Sequence, residues 1–469
     1  MELKIKDVEA LVAQVINQFE GIGLPNKKDD ESKWGIFDTM DEAVEAAWVA
    51  QNNYMKCSLA TRRKVIQSIR DVMMEREHMR TICGMAVEET GMGNYEDKLL
   101  KHEMAALRTP GVEDLKTACI AGDDGLTLLE LSPFGVIGTI TPTTNPSESL
   151  INNGISMLAG GNTVVFSPHP KAVKTCHYTL KVLNKAIYEA TGLNNLMVTI
   201  CKPTIESADI MMHHPKVNML CATGGPGVVQ AVLKSGKKAI GAGAGNPPAL
   251  VDETADVEKA AKDIIDGCVF DNNLPCIAEK EVVVVDEVAD YLIYNMKKNG
   301  AFEITDRKIC DSLANMVHPN GRLNREFVGK DVHYIGKAAG FEVPPEARCL
   351  IMEVPKDHVL AVEELMMPIL PIIRVKDVDE GIDVACKLEN GNRHTAIMHS
   401  KNVDKLSKMA KQIQTTIFVK NGPSFAGLGY GGEGFPTFTI AGPTGEGLTS
   451  AKSFVRRRRC VLSGGFEIK

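Results

Sequence analysis

The stretch GVIGTITPTTNPSESLINNGISMLAGGNTVVF, residues 135–166, decides the fold class. It contains an apolar run at Gly135–Ile140, a polar corner, a helical run from about Ser149 to Leu158, and a second apolar run at Thr163–Phe166. Short apolar runs bounded by turn residues are typical of buried strands. This alternation of strand and helix predicts an α/β architecture with largely parallel sheets.

The same alternation continues along the chain. Further strands are predicted at Met197–Cys201, Met219–Ala222, Ala249–Val251, Glu281–Val285, Ile369–Val375 and Thr416–Val419. Residues 39 to about 108 have a helical pattern that begins with Thr39 as an N-cap. The last 35 residues are rich in Gly, Thr and Ser and predict extended arms.

The N-terminal segment is predicted to form an amphipathic helix that precedes the body of the protein. Its apolar residues recur at helical spacing: Ile5, Val8, Val12, Val15, Ile16 and Phe19. Residues 21–33 are polar, with glycines and a proline, and are typical of a tether. Because a tethered helix cannot bury its apolar face locally, it either folds back or docks on a partner.

Length and composition restrict the class of protein. A chain of 469 residues is too long for one hydrophobic core, so at least two domains are expected. The 44% apolar and 24% charged shares fit a soluble globular enzyme. A net charge of −7 argues against nucleic acid as a partner. No apolar stretch reaches the roughly 18 to 20 residues that cross a bilayer, so no membrane partner is expected either.

Cysteine usage indicates a reducing cytoplasm and one candidate nucleophile. The 12 cysteines contain no CxxC pair or zinc-type spacing, which predicts free thiols. Most are expected to be small buried apolar residues, including Cys119 and Cys201. Cys276 differs, because it lies in the polar, proline-turned loop FDNNLPCIAEK at residues 270–280. Accessible, acidic thiols are the reactive ones, so this position suggests a nucleophile.

Polar corners after predicted strands are candidate ligand sites. Thr141–Ser147 follows the strand Gly135–Ile140, and loops at the carboxyl ends of strands bind ligands in such sheets. The amide of Asn145 could donate to a developing oxyanion, although this motif alone favours an ordinary turn asparagine.

Two glycine-rich corners follow later strands. Thr223–Gly227 leads into the helical run Val228–Lys234, where backbone N–H groups could contact a phosphate or dinucleotide. It does not match the dinucleotide fingerprint GxGxxG. Gly241–Pro248 contains three glycines and two prolines, which indicates close approach of the backbone to something else.

The remaining ionisable candidates carry weaker signals. Glu363 and Glu364 precede an apolar strand and could bind ribose hydroxyls, serve as a base, or simply be solvated. His213, His214 and His394 have no partner at metal-ligand spacing. We therefore expect surface or capping histidines and no metal.

Taken together, the motifs resemble the aldehyde dehydrogenase superfamily. The chain carries in order TxxTNPxE, SPHP, TGGPG, GAGAGNPPALVDETAD, FDNNLPCIAEK, EELMMPILP and KNGPSFAGLGYGGEGF. More narrowly, it resembles the coenzyme-A-acylating branch that serves the propanediol and ethanolamine microcompartments of bacteria. The resemblance covers essentially the whole chain.

The resemblance implies a domain organisation with a cofactor-binding α/β domain, a catalytic α/β domain and an extended β arm for oligomerisation. The implied segments are an encapsulation-type helix at 1–20, a linker at 21–33, an NAD-binding domain at 34–122 and 142–240, a catalytic domain at 241–433, and the arm at 123–141 and 434–469. The implied partners are a second copy of the chain, in a dimer or tetramer, and microcompartment shell proteins that bind residues 1–20. The implied location is the cytoplasm, in the lumen of a microcompartment.

The resemblance also implies the roles of individual residues. Cys276 would be the nucleophile, and Asn145 with the Cys276 backbone N–H would form the oxyanion hole. Glu364 falls where the family holds the nicotinamide ribose. The full set implied for cofactor contact is Thr141, Pro142, Ser167, His169, Thr223, Gly224, Gly225, Gly227, Gly243 and Glu364.

Two departures from the parent family shape the expected reaction. Hydrolytic members carry ELGGK, whose glutamate activates water, where this chain has Ala242–Asn246. Without that base, coenzyme A, which brings its own thiol, is the expected acyl acceptor. The lysine of the family's KPA motif is replaced in Ser167–Pro170, which leaves the choice between NAD and NADP open.

The expected activity is therefore oxidation of a short-chain aldehyde, with propionaldehyde favoured, by NAD and coenzyme A to an acyl-CoA. An acetaldehyde-preferring enzyme and a hydrolytic enzyme that yields the free acid remain alternatives. A catalytically idle scaffold is a further alternative, against which the presence of Cys276, Asn145 and Glu364 argues.

Overall fold

The structure is a computed structural model that describes residues 34–466. The helix and linker predicted at 1–20 and 21–33 lie outside the described residues. Within 34–466, no helix is both long and apolar enough to cross a membrane.

A parallel six-stranded sheet forms the first layer. Its strand order is β1-β6-β5-β4-β7-β8. The bounds are β1 (Ile36–Phe37), β4 (Val136–Thr141), β5 (Thr163–Pro168), β6 (Met197–Ile200), β7 (Val217–Thr223) and β8 (Lys238–Ala242). All five pairings are parallel, so the carboxyl ends of the strands lie along one edge. The loops that follow Thr141, Pro168, Thr223 and Ala242 lie along that edge.

A parallel seven-stranded sheet forms the second layer, with strand order β11-β12-β13-β10-β9-β14-β15. The bounds are β9 (Pro248–Val251), β10 (Glu281–Val285), β11 (Ala301–Glu303), β12 (Cys349–Glu353), β13 (Ile369–Val375), β14 (Thr395–His399) and β15 (Ile417–Lys420). Val283 and Val285 pack in one apolar cluster, while Val282 and Val284 pack in another. Burial on both faces explains why β10 reads as a continuous apolar run.

Two antiparallel pieces complete the strands. A three-stranded sheet contains β2 (Ala118–Gly122), β3 (Gly125–Pro133) and β18 (Val455–Ser463), and a two-stranded piece contains β16 (Ile440–Ala441) and β17 (Gly447–Leu448). β18 pairs with β3 along nine residues, from Val455 opposite Pro133 to Ser463 opposite Gly125. The strand β18 confirms the extended structure that the sequence predicts near the carboxyl end.

The boundary predicted for the arm at residue 141 is wrong, because β4 lies at the centre of the first sheet between β5 and β7. β3 ends at Pro133, and the chain turns into β4 at Gly135, whose φ is +125°. A Cβ at Gly135 would lie 2.3 Å from Asn218 Oδ1, so only glycine fits this turn. The predicted carboxyl-terminal arm also includes Phe454, which packs in the core of the first domain.

Helices cover the faces of both sheets. Within the described residues, the first domain contains α1 (Met40–Tyr54), α2 (Leu59–Met73), α3 (Arg76–Thr90), α4 (Tyr95–Arg108), α5 (Pro146–Ala159), α6 (Val173–Thr191), α7 (Ile205–His213) and α8 (Pro226–Lys234). The second contains α9 (Val257–Val269), α10 (Asp286–Lys298), α11 (Arg307–Val317), α12 (Val332–Ala339), α13 (Val359–Val362), α14 (Val378–Glu389) and α15 (Val403–Ile413). The predicted N-cap Thr39 is confirmed, because it forms a capping box with Glu42.

Candidate active site

The candidate site lies where opposite ends of the two sheets meet. Asn145 follows β4, at the carboxyl edge of the first sheet. Gly245, Cys276 and Glu364 instead precede β9, β10 and β13, so they lie at the amino edge of the second sheet. His394 directly precedes β14 at that same edge.

The loop before Cys276 is held in an unusual backbone conformation. Asp271, Asn272 and Asn273 have φ values of 48°, 53° and 66°, in the left-handed region. Asp and Asn tolerate this region better than other side chains with a Cβ, which explains the sequence DNN. The Asn273 amide donates to the carbonyls of Cys268 at 2.8 Å and Glu279 at 2.9 Å, and so closes the turn.

Two buried ionisable residues after Cys276 brace the loop. Lys280 Nζ donates to Asn273 O at 2.9 Å and to Asn273 Oδ1 at 2.6 Å. The Glu279 carboxyl accepts from Ser424 N–H at 2.8 Å and from Ser424 O–H at 2.7 Å. The loop that carries Cys276 is thus tied both to itself and to the segment that follows β15.

The Cys276 thiol is less acidic in the structure than its position in the sequence suggests. The residue is half-buried, and burial, followed by the charge of Glu364, raises its pKa to about 12. The ammonium groups of Lys280 and Lys101 act in the opposite direction but do not compensate. The thiol is therefore protonated at neutral pH in this structure.

Asn145 is fixed by a buried ion cluster. Lys101 Nζ donates to Asn145 Oδ1 at 2.5 Å and also binds the Asp271 carboxylate. Lys98 Nζ contacts Asp271 Oδ2 at 2.9 Å and donates to Thr144 O at 2.7 Å. Burial opposes the charge of Lys101, but Asp271 and Glu148 outweigh it and raise the pKa of the ammonium group.

The cluster places the two candidate catalytic residues in one rigid assembly. Lys101 donates to the side-chain oxygen of Asn145, so the amide nitrogen of Asn145 faces the other way as a donor. That nitrogen donates to Thr144 Oγ1 at 3.2 Å. The same Lys101 influences the Cys276 thiol. An amide donor that reaches the carbonyl oxygen of an aldehyde bound to the thiol can stabilise the oxyanion formed there.

The glycine-rich corner lies directly against the nucleophile loop. A Cβ at Gly245 would lie 2.7 Å from Cys276 O and 2.8 Å from His394 Cγ, so the expected close approach of the backbone is present here. The Gly245 N–H donates to Glu364 Oε1 at 3.3 Å. Burial raises the pKa of Glu364.

His394 is a residue that sequence reasoning placed wrongly at the surface. Its ring is buried beneath Gly245, and Nδ1 hydrogen-bonds Thr395 Oγ1 at 2.9 Å. Nε2 has no partner among the described residues, and burial lowers the pKa to about 3, so the ring is neutral. The available signal was its position immediately before an apolar strand.

Lys98 and Lys101 were also missed. They lie three residues apart on α4, in the same helix as the buried Ala105, and both side chains are buried. Lysines are rarely buried without a partner, so a lysine pair in an apolar helical stripe is the signal that could have revealed them.

Apart from Glu364, the residues expected to contact the dinucleotide occupy the carboxyl edge of the first sheet. Thr141 and Ser167 are buried at the ends of β4 and β5, while Pro142 and His169 are half-buried just beyond them. Thr223 ends β7, and Gly243 follows β8. The structure therefore brings these predicted positions to a common edge.

The glycine turn is only partly available to a ligand. The Gly224 N–H donates to Ala242 O at 3.1 Å and so serves the fold. At Gly225 and Gly227 a Cβ would meet no atom within 4 Å, and both residues are exposed at the start of α8. This open helix N-terminus fits the phosphates of a dinucleotide. No group of three or more His, Cys, Asp or Glu side chains in residues 34–466 is placed to hold a metal ion.

The chain is similar to known proteins in sequence and in fold. The Aldehyde dehydrogenase family model matches residues 37–303 and 329–434. Propanal dehydrogenase (CoA-propanoylating) of Citrobacter freundii is 48% identical over 468 residues, which cover 100% of both chains. The solved structure of Rhodopseudomonas palustris propionaldehyde dehydrogenase with bound CoA and an acylated cysteine has a TM-score of 0.92 and 57% identity, over 93% of this chain and 99% of that chain.

A further solved structure comes from a microcompartment. It is a propionaldehyde dehydrogenase from the Clostridium phytofermentans fucose utilisation bacterial microcompartment. The TM-score is 0.91 and the identity 54%, over 93% of this chain and 100% of that chain.

The buried carboxyl of Glu279 predicts a pH-dependent stability. Burial raises its pKa to about 8 in the folded protein, against roughly 4.3 when unfolded. Between these values the folded state holds a proton that the unfolded state has lost. The free energy of unfolding therefore falls as pH rises through this window, by up to about 1.4 kcal/mol per pH unit.

Glu279→Gln removes this titration and keeps groups that can bond Ser424. We expect the urea midpoint of the variant to rise relative to that of the wild type between pH 5 and 8. Above pH 8 the difference between the two midpoints should stay constant. Exposed Glu253, changed to Gln, is the matched control and should follow the wild type. Parallel curves for Glu279→Gln and wild type would contradict the assignment.

Proposed function

Because the chain belongs to the aldehyde dehydrogenase family, we propose that it oxidises a short-chain aldehyde, propanal first, and transfers the acyl group to coenzyme A. A nicotinamide dinucleotide is the hydride acceptor. The family model matches well over half of the chain, and the C. freundii relative, named as CoA-propanoylating, is similar along its full length.

One observation supports coenzyme A rather than water as the acyl acceptor. The corner Ala242–Asn246 contains no carboxylate, and the Asn246 amide is turned to the carbonyls of Ala361 and Leu388, both at 3.0 Å. The Glu364 carboxyl, whose charge raises the pKa of the thiol, accepts a hydrogen bond from the Gly245 N–H. Water needs a general base at this place, whereas coenzyme A supplies a strong nucleophile of its own.

The first step forms a covalent bond between the protein and the aldehyde. Cys276 sulfur attacks the carbonyl carbon as its thiol proton passes to solvent, and the carbonyl oxygen becomes an oxyanion. The amide of Asn145 and the backbone N–H of Cys276 donate to that oxygen. Lys101 orients this donor by holding the Asn145 carbonyl oxygen at 2.5 Å.

The dinucleotide would lie along the carboxyl edge of the first sheet. Its phosphates fit the open N–H groups at Gly225 and Gly227, and its nicotinamide ribose fits the Glu364 carboxyl. When bound there, the nicotinamide ring accepts a hydride from the thiohemiacetal carbon. The protein is left with an acyl thioester on Cys276.

The second half-reaction transfers the acyl group to a thiol. The sulfur of coenzyme A attacks the thioester carbonyl as its thiol proton passes to solvent, and Asn145 again stabilises the oxyanion. Expulsion of Cys276 as a thiolate then releases the acyl-CoA, and nearby Lys280 and Lys101 favour that charged form.

We also propose the assembly and location of the enzyme. The exposed sheet of β2, β3 and β18 would pair with a second copy of the chain. Residues 1–20 would form a helix that docks on shell proteins and places the enzyme in the lumen of a microcompartment. The microcompartment origin of the C. phytofermentans relative supports this proposal.

The product of propanal oxidation tests the proposed reaction. With NAD and coenzyme A, we expect propanoyl-CoA in amounts equal to NADH, measured by chromatography. A series of acetaldehyde, propanal and butanal should give the highest kcat/KM for propanal. Cys276→Ala is the control and should lose aldehyde oxidation. Free propanoate as the main product in the presence of coenzyme A would contradict the proposal.

The role of Lys101 is tested with two matched lysine variants. Lys101→Met frees the Asn145 carbonyl oxygen, so we expect kcat to fall about 100-fold with a smaller change in the KM for propanal. Lys98→Met removes an ion pair with the same Asp271 carboxylate but keeps the hydrogen bond from Lys101 to Asn145. Its kcat should therefore fall less than that of Lys101→Met. Both proteins are first checked for folding by circular dichroism. Equal losses of kcat would show that Lys101 does not orient Asn145.

Deletion of residues 1–20 tests the docking proposal. We expect the kcat of the truncated enzyme to match that of the full chain, because the described site lies within residues 34–466. Co-purification with microcompartment shells should be lost. Retention of the truncated enzyme in the shells would contradict the role given to the helix.

A further inference from the structure

A pocket lined by three cations lies beside the dinucleotide corner and has no role in the chemistry above. Its volume is about 210 Å³. Its walls include Gly91, Lys171, Arg325, Glu326, Lys330 and Tyr334, and we call it the Arg325 pocket. Three cationic side chains and one carboxylate give these walls a net positive charge.

The protein does not neutralise this charge itself. Lys330 Nζ donates to the Gly91 carbonyl at 2.5 Å and lies 5.3 Å from the centre of the Tyr334 ring, and neither partner is ionised at neutral pH. The Glu326 carboxylate accepts from the Tyr334 hydroxyl at 3.2 Å. Across residues 34–466, Lys171, Arg325 and Lys330 form no ion pair with a carboxylate. An anion is therefore the fitting occupant of the pocket.

The position of the pocket relates it to the reacting ligands. Lys171 follows His169, beyond the carboxyl end of β5. Burial, Arg325 and Lys171 together lower the pKa of His169, which places both cations near the imidazole. On the other side, the Gly329 N–H donates to the Met366 carbonyl at 2.8 Å, two residues after Glu364. The pocket thus lies between the dinucleotide corner and the segment that carries Glu364.

We propose that the Arg325 pocket binds the phosphomonoester of an adenosine ribose. Guanidinium and ammonium groups form charge-assisted hydrogen bonds with phosphate, and the planar arginine side chain can do so in a bidentate manner. Coenzyme A carries such a group at the ribose 3′ position and NADP at the 2′ position, whereas NAD carries none. The inference rests on the proposed function and adds the feature that selects the phosphorylated ligand.

Arg325→Ala in the full chain tests this inference with paired ligands. We measure Kd by calorimetry and KM by steady-state kinetics for coenzyme A against dephospho-coenzyme A, and for NADP against NAD. We expect the Kd and KM for coenzyme A to rise about tenfold, with those for dephospho-coenzyme A unchanged. Arg322→Ala changes an exposed arginine outside the pocket walls, so this control variant should match the wild type.

The outcomes separate the possible sources and the underlying function. A loss confined to coenzyme A identifies its 3′-phosphate as the occupant, and a loss confined to NADP identifies the 2′-phosphate. Equal losses for the phosphorylated and unphosphorylated ligands, or no loss for any ligand, would overturn the inference. Calorimetry reports binding without turnover, so failure to form an acyl-CoA in the product assay is distinguishable from failure of the pocket.

Discussion

The buried contacts of Asp271 with Lys98 and Lys101 are the constraint on which the site depends. Both lysines belong to α4 of the first domain, whereas Asp271 begins the left-handed turn that leads to Cys276 in the second. One carboxylate therefore joins the two domains and sets the loop, while Lys101 fixes Asn145. Removing one member of such a buried cluster typically costs about 3–5 kcal/mol, because it leaves an uncompensated charge.

The two parallel sheets divide the chemistry between opposite ends of their strands. The first sheet presents its carboxyl edge, where open N–H groups and polar corners suit a dinucleotide. The second presents its amino edge, so Cys276 and Glu364 come shortly before a strand and His394 directly before one. Neither sheet alone therefore positions both Cys276, the candidate nucleophile, and Asn145, the candidate amide donor.

Local sequence patterns predicted strands whose residues are nearly all apolar and missed strands that contain more polar residues. The run that forms β10 was found because four of its five residues are valine, whereas Thr395–His399, which forms β14 and is equally buried, begins and ends with a polar residue. The arm boundary failed because the turn at Gly135 depends on Asn218, which lies far along the chain. Two cysteines expected to be buried are exposed, because Cys119 lies on the edge strand β2 and Cys201 follows the end of β6, and neither position is visible in the local sequence.

The sequence by itself determined the α/β class, the positions of Cys276, Asn145 and Glu364, and the missing carboxylate in the corner before β9, because residue type and order carry that chemistry. Only the tertiary structure decided how these groups act on one another. Burial and the neighbouring Glu364 make Cys276 a protonated thiol, and Lys101 determines which end of the Asn145 amide is free. Desolvation and charge–charge contact depend on distances between segments far apart in sequence, which no local pattern encodes.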